Sequence, residues 1–169
     1  MRKLITALFI AICGLCAGAV VIPDGVYTIW TSYEGLYCID VSNSRMAAGS
    51  NIQLWDHNNT NAQHWKVENR DGGIVIRSTI NSDYVIDVSN SRMADGTNIQ
   101  LWPYNGTKAQ LWYPYSVGGQ KYILRSAINP NYVIDLSASR VARGTNIQLW
   151  TRNNTGAQTW IFQKVKNSY

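Results

Sequence analysis

Three acids, three amides and three indoles stand at matching places in this chain. Asp40, Gln53 and Trp55 recur as Asp87, Gln100 and Trp102, and again as Asp135, Gln148 and Trp150. A second amide follows each set, at Gln63, Gln110 and Gln158, always two residues before another tryptophan (Trp65, Trp112, Trp160). A carboxylate only accepts hydrogen bonds and makes the stronger, charge-assisted ones, whereas a primary amide both donates and accepts. An exposed aromatic plane beside an acid and amides suits sugars. The C–H face of a pyranose packs on the ring while its hydroxyls find donors and acceptors around the edge.

The repetition extends well beyond these residues. Ile39 to Trp55 reads IDVSNSRMAAGSNIQLW, and 15 of its 17 residues return unchanged from Ile86 to Trp102. A third copy, IDLSASRVARGTNIQLW, runs from Ile134 to Trp150, so the copies are offset by 47 and then 48 residues. A period of this kind announces a fold assembled from equal units. We divide the chain into repeats of about 26–71, 72–117 and 118–169, with no linker or charge block between them. Short β-branched and aromatic runs predict about four strands per repeat. They fall at Tyr27–Trp30, Ile74–Arg77 and Tyr122–Arg125, at Tyr37–Val41, Tyr84–Val88 and Tyr132–Leu136, at Asn51–Trp55 and its copies, and around Trp65, Trp112 and Trp160. Clusters of Asn, Ser and Gly separate them as turns. No stretch carries a sustained helical period, and the fold class is all-β.

Side chains alternate between the two faces of a strand. In Asn51-Ile52-Gln53-Leu54-Trp55, Ile52 and Leu54 therefore point inward and leave Gln53 and Trp55 together on the outer face. Units of this size cannot bury a core alone, so the repeats should close around a common axis. Trp65, Trp112 and Trp160, with Ile52, Ile99 and Ile147, are the expected shared interior. Each recurrent acid ends an apolar strand, and its competing reading is a cap on the turn that follows, as with Ser42 and Asn43 after Asp40. Arg45, Arg92 and Arg140 read as solvated loop residues or turn braces.

The chain of 169 residues opens with Arg2 and Lys3, an apolar run and Ala17-Gly18-Ala19. These features predict a secretory signal peptide over residues 1–19 and a single secreted domain over 20–169. The uncharged run from Leu4 to Ile22, 19 residues long, is the competing membrane anchor. No membrane insertion is expected once the signal is removed. Removal of Arg2 and Lys3 lowers the net charge from +5 to +3, and the remaining basic residues are scattered, so nucleic acid is not an expected partner. Of three cysteines only Cys38 lies beyond the signal; it reads as a buried, inert thiol. His57 and His64 lack His or Cys counterparts in the other repeats, so neither a metal nor a cofactor is expected.

The three Gln-x-Trp motifs, in register with Ile-Asp…Gln-Leu-Trp upstream, resemble the ricin B-type lectins over the whole chain from Val26 onward. The resemblance implies a β-trefoil and one glycan site, galactose-type or related, in each repeat. By it Asp40, Asp87 and Asp135 would bind sugar hydroxyls, and Trp55, Trp102 and Trp150 would be stacking platforms. Gln53, Gln100 and Gln148 would add polar contacts, and Gln63, Gln110 and Gln158 would steady the acids from behind. The chain departs from the family in two ways. An Asn preceding the Gln of Gln-x-Trp is replaced by Ala62, Ala109 and Ala157, with Asn61 one position earlier as a substitute in repeat one only. A family disulfide would join Cys38 to position 57, which is His57; Val85 with Tyr104 and Val133 with Arg152 stand at the other copies. Repeat one is the most complete candidate.

These readings predict a secreted, non-enzymatic carbohydrate-binding protein whose partners are glycans, acting through up to three shallow sites. A glycosidase needs two carboxylates about 5–10 Å apart across one bond, and each repeat offers one recurrent acid. The alternative is a trefoil used for protein contacts, as a protease inhibitor or as the binding subunit of a toxin, or beside a hydrolase partner. Asn58-Asn59-Thr60, Asn105-Gly106-Thr107 and Asn153-Asn154-Thr155 match the N-glycosylation pattern, but turn chemistry copied with the repeat accounts for them.

Overall fold

The computed structural model describes residues 22–33 and 35–166. The signal sequence expected over residues 1–19 lies outside them. Repeat one supplies β1 (Gly25–Thr31), β2 (Tyr37–Val41), β3 (Ser50–Asp56) and β4 (His64–Arg70). Repeat two supplies β5 (Gly73–Ser78), β6 (Tyr84–Val88), β7 (Thr97–Pro103) and β8 (Trp112–Gly118). Repeat three supplies β9 (Lys121–Ser126), β10 (Tyr132–Leu136), β11 (Thr145–Thr151) and β12 (Trp160–Lys164). The expected strands are all present, within a few residues of their expected bounds. Among the described residues no helix is long and apolar enough to cross a membrane.

The pairings arrange these strands as a ring and a triangle, joined by single-residue bridges β1–β2, β5–β6 and β9–β10. The first and fourth strands of each repeat form a ring in the order β1, β4, β5, β8, β9, β12 and back to β1, every pair antiparallel. The second and third strands form three hairpins, β2–β3, β6–β7 and β10–β11. Those hairpins join in a triangle through β3–β7, β7–β11 and β11–β3. A barrel capped by three hairpins is a β-trefoil, and closure leaves the ring without an open edge. At the centre of the triangle the amide of Asn98 donates to Asn51 Oδ1 at 3.0 Å, and that of Asn146 to Asn98 Oδ1 at 2.9 Å. The hairpins also cross at Gly49, Gly96 and Gly144, whose N–H groups donate to the carbonyls of Leu101, Leu149 and Leu54, each at 2.9 Å. Their φ values of 80°, 79° and 75° lie in the left-handed region that glycine enters without steric penalty.

The shared interior holds the residues read from the sequence. Trp65, Trp112 and Trp160 have no exposed surface, nor have Ile52, Ile99 and Ile147. A buried indole N–H needs an acceptor, and each finds one in the second strand of its own repeat. Trp65 Nε1 donates to the Ile39 carbonyl at 3.1 Å, Trp112 Nε1 to that of Ile86 at 3.4 Å and Trp160 Nε1 to that of Ile134 at 3.1 Å. One side chain thus fills the barrel and ties the hairpin to it.

Cys38 is fully buried and unpaired, and burial, with Asp40 and Asp56 nearby, pushes its thiol up to about 12. It is unreactive by chemistry as well as by access. Where the family disulfide would sit, each repeat has a different stack. Trp30 lies against His57 with ring centroids 4.6 Å apart. Arg77 sits 4.2 Å over Tyr104. In repeat three Arg125 and Arg152 both flank Tyr115, at 4.2 and 5.0 Å. These contacts replace a covalent staple with weaker stacking, worth about 0.5–2 kcal/mol each for the arginine stacks.

Trp65→Phe removes both ring volume and the donor to the Ile39 carbonyl. We expect a loss of about 2–4 kcal/mol in urea unfolding, whereas Trp55→Phe, outside the interior, should stay within about 1 kcal/mol of the parent.

Candidate functional site

Each site is built on one hairpin. Antiparallel register sets Asp40 opposite Gln53, Asp87 opposite Gln100 and Asp135 opposite Gln148, and directly opposed side chains share a face. The amides donate to the acids accordingly: Gln53 Nε2 to Asp40 Oδ1 at 3.1 Å, Gln100 to Asp87 at 3.0 Å, and Gln148 to Asp135 at 3.0 Å. Two residues further along the same face stand Trp55, half-buried, and Trp102 and Trp150, exposed by 38% and 37%. The three indoles are therefore outside the core, beside their acids.

One sequence expectation needs correcting. Gln100 and Gln148 are on the outer face yet only 9% and 8% exposed, and Asp40, Asp87 and Asp135 are 5% exposed. Alternation assigns a face; the loops folded over that face decide how much of it meets water. In repeats one and three the amide–acid pair lines a depression and is not on an open surface.

The second amide closes the pair from behind. Gln63, Gln110 and Gln158 have no exposed surface, so they brace the site and do not themselves reach a ligand. Gln110 Nε2 donates to Asp87 Oδ2 at 3.1 Å and to the Pro103 carbonyl at 3.0 Å; Gln158 does the same to Asp135 Oδ2 and to Thr151. In repeat one Gln63 lies close enough to Asp40 to lower its pKa, but it meets hydrogen-bond geometry only with the Asp56 carbonyl, at 2.8 Å. In all three, the amide oxygen accepts the backbone N–H of Asn58, Asn105 or Asn153 at 2.8 Å.

That last bond fixes a loop whose importance the sequence understated. Asn58 Oδ1 accepts from Thr60 N and Oγ1 at 3.1 and 2.7 Å, and Asn153 holds Thr155 in the same way. Asn105 accepts from Thr107 N at 3.1 Å. The Asn-x-Thr triplets are thus side-chain-stabilised turns, as their repetition implied. Asn58 and Asn153 also line the pockets of their repeats. Asn61, the expected substitute for the missing Asn, is exposed and is not among the lining residues; its carbonyl takes the Thr79 hydroxyl at 3.1 Å.

The opposite wall is the turn after the acid. Asn43 and Ser44, Asn90 and Ser91, and Ala138 and Ser139 all have φ between 51° and 55°. Outside glycine and asparagine that conformation costs about 1–2 kcal/mol per residue. The turn is held nonetheless, by N–H bonds from Arg45, Arg92 and Arg140 to the carbonyls of Ser42, Ser89 and Ser137. The side chains of those arginines are exposed, as solvated loop residues should be. Between the two walls lies a cavity of about 430 Å³ in repeat one, lined by Asp40, Asn43, Gln53, Trp55 and Asn58. Its counterpart in repeat three, about 340 Å³, has Ala138 where repeat one has Asn43.

Burial raises the pKa of all three acids, while the two amides around each pull it down; Asp95 raises Asp135 further. Elsewhere, His57 stacks on Trp30 and His64 Nε2 lies 3.2 Å from Asn59 Oδ1. Among the described residues no three His, Cys, Asp or Glu side chains gather as metal ligands would.

Comparison with known proteins agrees with this geometry. The family model described as ricin-type beta-trefoil lectin domain-like matches residues 19–102 and 61–150, two overlapping spans of about two repeats each. No curated protein sequence matches the chain significantly. Among solved structures, a designed three-fold symmetric protein, ThreeFoil, superposes with a TM-score of 0.78 at 22% identity, covering 84% of this chain and 100% of its own. The Macrolepiota procera ricin B-like lectin, solved with lactose, gives 0.71 at 21%, covering 86% and 99%. An exo-beta-1,3-galactanase from Clostridium thermocellum gives 0.79 at 24%, covering 86% of this chain but 31% of its own. At such identities the likeness is one of fold.

A carboxylate whose native pKa exceeds its unfolded value binds its proton more readily when folded. The cost of burying its charge is then present above the native pKa and disappears as pH falls towards the unfolded value. Carboxyl-resolved NMR titration should find Asp40, Asp87 and Asp135 protonating above the ordinary aspartate range, and protonation of these three should not itself unfold the chain.

Proposed function

The chain belongs to the ricin-type β-trefoil lectin domain-like family, and from that premise we propose that it is a secreted carbohydrate-binding protein with up to three glycan sites. The observation that carries this reading is the acid–amide pair set beside a solvent-facing indole, repeated three times. The indole offers a platform for the C–H face of a pyranose. The acid, already holding one or two amides, keeps lone pairs for adjacent sugar hydroxyls. Asn58 and Asn153 add a donor at the rim, since the oxygen of each is committed to its own turn. A galactose-type sugar fits this arrangement, and the lactose complex of the Macrolepiota lectin supports that choice by analogy of fold.

Repeat one has a larger cavity than repeat three and has both Asn43 and Asn58 at its rim. Repeat three offers Ala138 in place of Asn43. A shallow sugar site of millimolar affinity supplies about −4 kcal/mol. Three on one rigid body gain by simultaneous attachment, by about a hundred-fold or more on a dense glycan surface. The family points away from catalysis, and each site has a single acid at its floor.

The test is a glycan array probed with residues 20–169 and competed with galactose. Trp55→Ala should weaken binding to multivalent glycan by about ten-fold or more, and Asp40→Ala should act similarly, both with an unchanged circular dichroism spectrum. Removal of Asp40, Asp87 and Asp135 together should abolish binding. Full retention by that triple variant rules out these sites, and capture of a protein partner that survives excess sugar would favour a protein-contact trefoil instead.

A further inference from the structure

The repeats agree on the acid, the amides and the indole, and disagree at one rim position. Ala48, Asp95 and Arg143 occupy the same place in the repeat, each just before the left-handed glycine that crosses to the next hairpin. The crossing carries each of them to a neighbour's platform strand. A Cβ on Gly144 would stand 4.0 Å from the Trp55 ring, and one on Gly96 would stand 3.9 Å from that of Trp150. Arg143 accordingly places its guanidinium over the Trp55 ring, 5.9 Å from the centroid. It is held there by Asp56, whose Oδ2 receives both Nε and Nη2. Asp95 reaches the residue after Trp150, accepting Thr151 N at 2.6 Å and Oγ1 at 2.8 Å. Beside Trp102 the neighbour brings only Ala48, and the residue after it is Pro103.

Every site has a carboxylate at its floor, so an anionic sugar is repelled unless a cation stands near. Arg45, Arg92 and Arg140 recur on the turn of every repeat and do not distinguish the sites. Among the described residues the rim position before the glycine carries a cation only at the Trp55 site. Asp56 occupies one edge of the Arg143 guanidinium and leaves the Nη1 donors uncommitted, the part of the fork that a carboxylate or sulfate recognises. At the Trp150 site the same rim position brings a carboxylate in place of the cation, bonded to Thr151 and close enough to raise Asp135 beyond what burial does.

We infer that this rim position sets the charge class of sugar each site takes. Arg143 fits the Trp55 site to glycans bearing a carboxylate or sulfate, Ala48 leaves the Trp102 site to neutral ones, and Asp95 bars anions from the Trp150 site. The inference rests on the glycan reading above and assigns each site of that reading a different ligand.

Indole-resolved NMR on residues 20–169, titrated at low salt with lactose and with lactose 3′-sulfate, tests both together. The sulfated sugar should favour the Trp55 indole over lactose by about three- to five-fold, the range of an exposed ion pair, and should be disfavoured at Trp150 by a similar factor. Added salt should shrink both differences. Arg143→Ala should bring the affinity ratio at Trp55 down to one or below. Asp95→Arg should confer sulfate preference on Trp150, with Asp95→Ala controlling for the lost bond to Thr151. If no indole responds to either sugar, the galactose reading falls and this inference with it. If the indoles respond to lactose but sulfate makes no difference, or the ratio at Trp55 survives Arg143→Ala, the sites stand and the charge assignment is overturned.

Discussion

In each repeat a primary amide with no exposed surface ties a strand end to the loop beyond it, and in repeats two and three it holds the acid as well. Gln110 and Gln158 each donate to an acid and to a strand-end carbonyl while accepting from a loop N–H. Leaving any of these groups unpaired in the interior costs about 1–3 kcal/mol, so acid, strand end and loop move together or not at all. The tryptophan two residues later makes the matching tie inward, to the carbonyl next to the acid: Ile39 before Asp40, Ile86 before Asp87, Ile134 before Asp135. The acid is thereby fixed from its side chain and from its backbone. Gln-x-Trp is a pair of anchors, and the site is the surface they pin in place.

This construction explains why three copies are needed. A lone hairpin such as β2–β3 would expose Ile39, Val41, Ile52 and Leu54, all of which are buried here. The barrel and the other two hairpins cover them. Antiparallel closure of the ring and of the triangle satisfies the backbone at the same time, and short seam contacts between Asn51, Asn98 and Asn146 mark where the three meet. A site on one repeat therefore borrows its rigidity from the other two.

Much of this was legible in the chain. The period gave the threefold plan, alternation separated the buried Ile52 and Leu54 from the outward Trp55, and the spacing of Gln and Trp distinguished core indoles from platform indoles. What escaped was whatever depends on a third element packing over a strand. Gln100 and Gln148 lie on the predicted face but beneath folded loops, and a two-residue period carries no information about cover. Asn58 lines the pocket and Asn61 does not, because Gln63 draws the Asn58 backbone inward. The stacks at Trp30, Tyr104 and Tyr115 differ in each repeat, so no repetition pointed to them. The division of strands between barrel and cap likewise lives in long-range pairing and leaves no local trace.

The pattern of internal divergence follows from the same mechanics. Positions whose side chains are bound up in the amide network cannot vary without orphaning a buried group, and they are identical in all three repeats, whereas Asp56, Pro103 and Thr151, which lend only a carbonyl, differ. The turn at Ser42–Ser44 and its copies is less constrained in identity, since its shape is imposed from both ends. Ala138 adopts the left-handed φ of Asn43 and Asn90 although it has no side chain to favour it. Its backbone is trapped between the pinned Asp135 and the N–H bond from Arg140 to Ser137. Beyond the turn, at Ala48, Asp95 and Arg143, only a glycine crossing is demanded and the side chain itself is exposed. The fold thus separates a rigid floor, where substitution is penalised by buried polar groups, from a rim where charge can change sign at little cost to stability. Three copies of one floor with three different rims is the arrangement by which a symmetric scaffold acquires sites that are not equivalent.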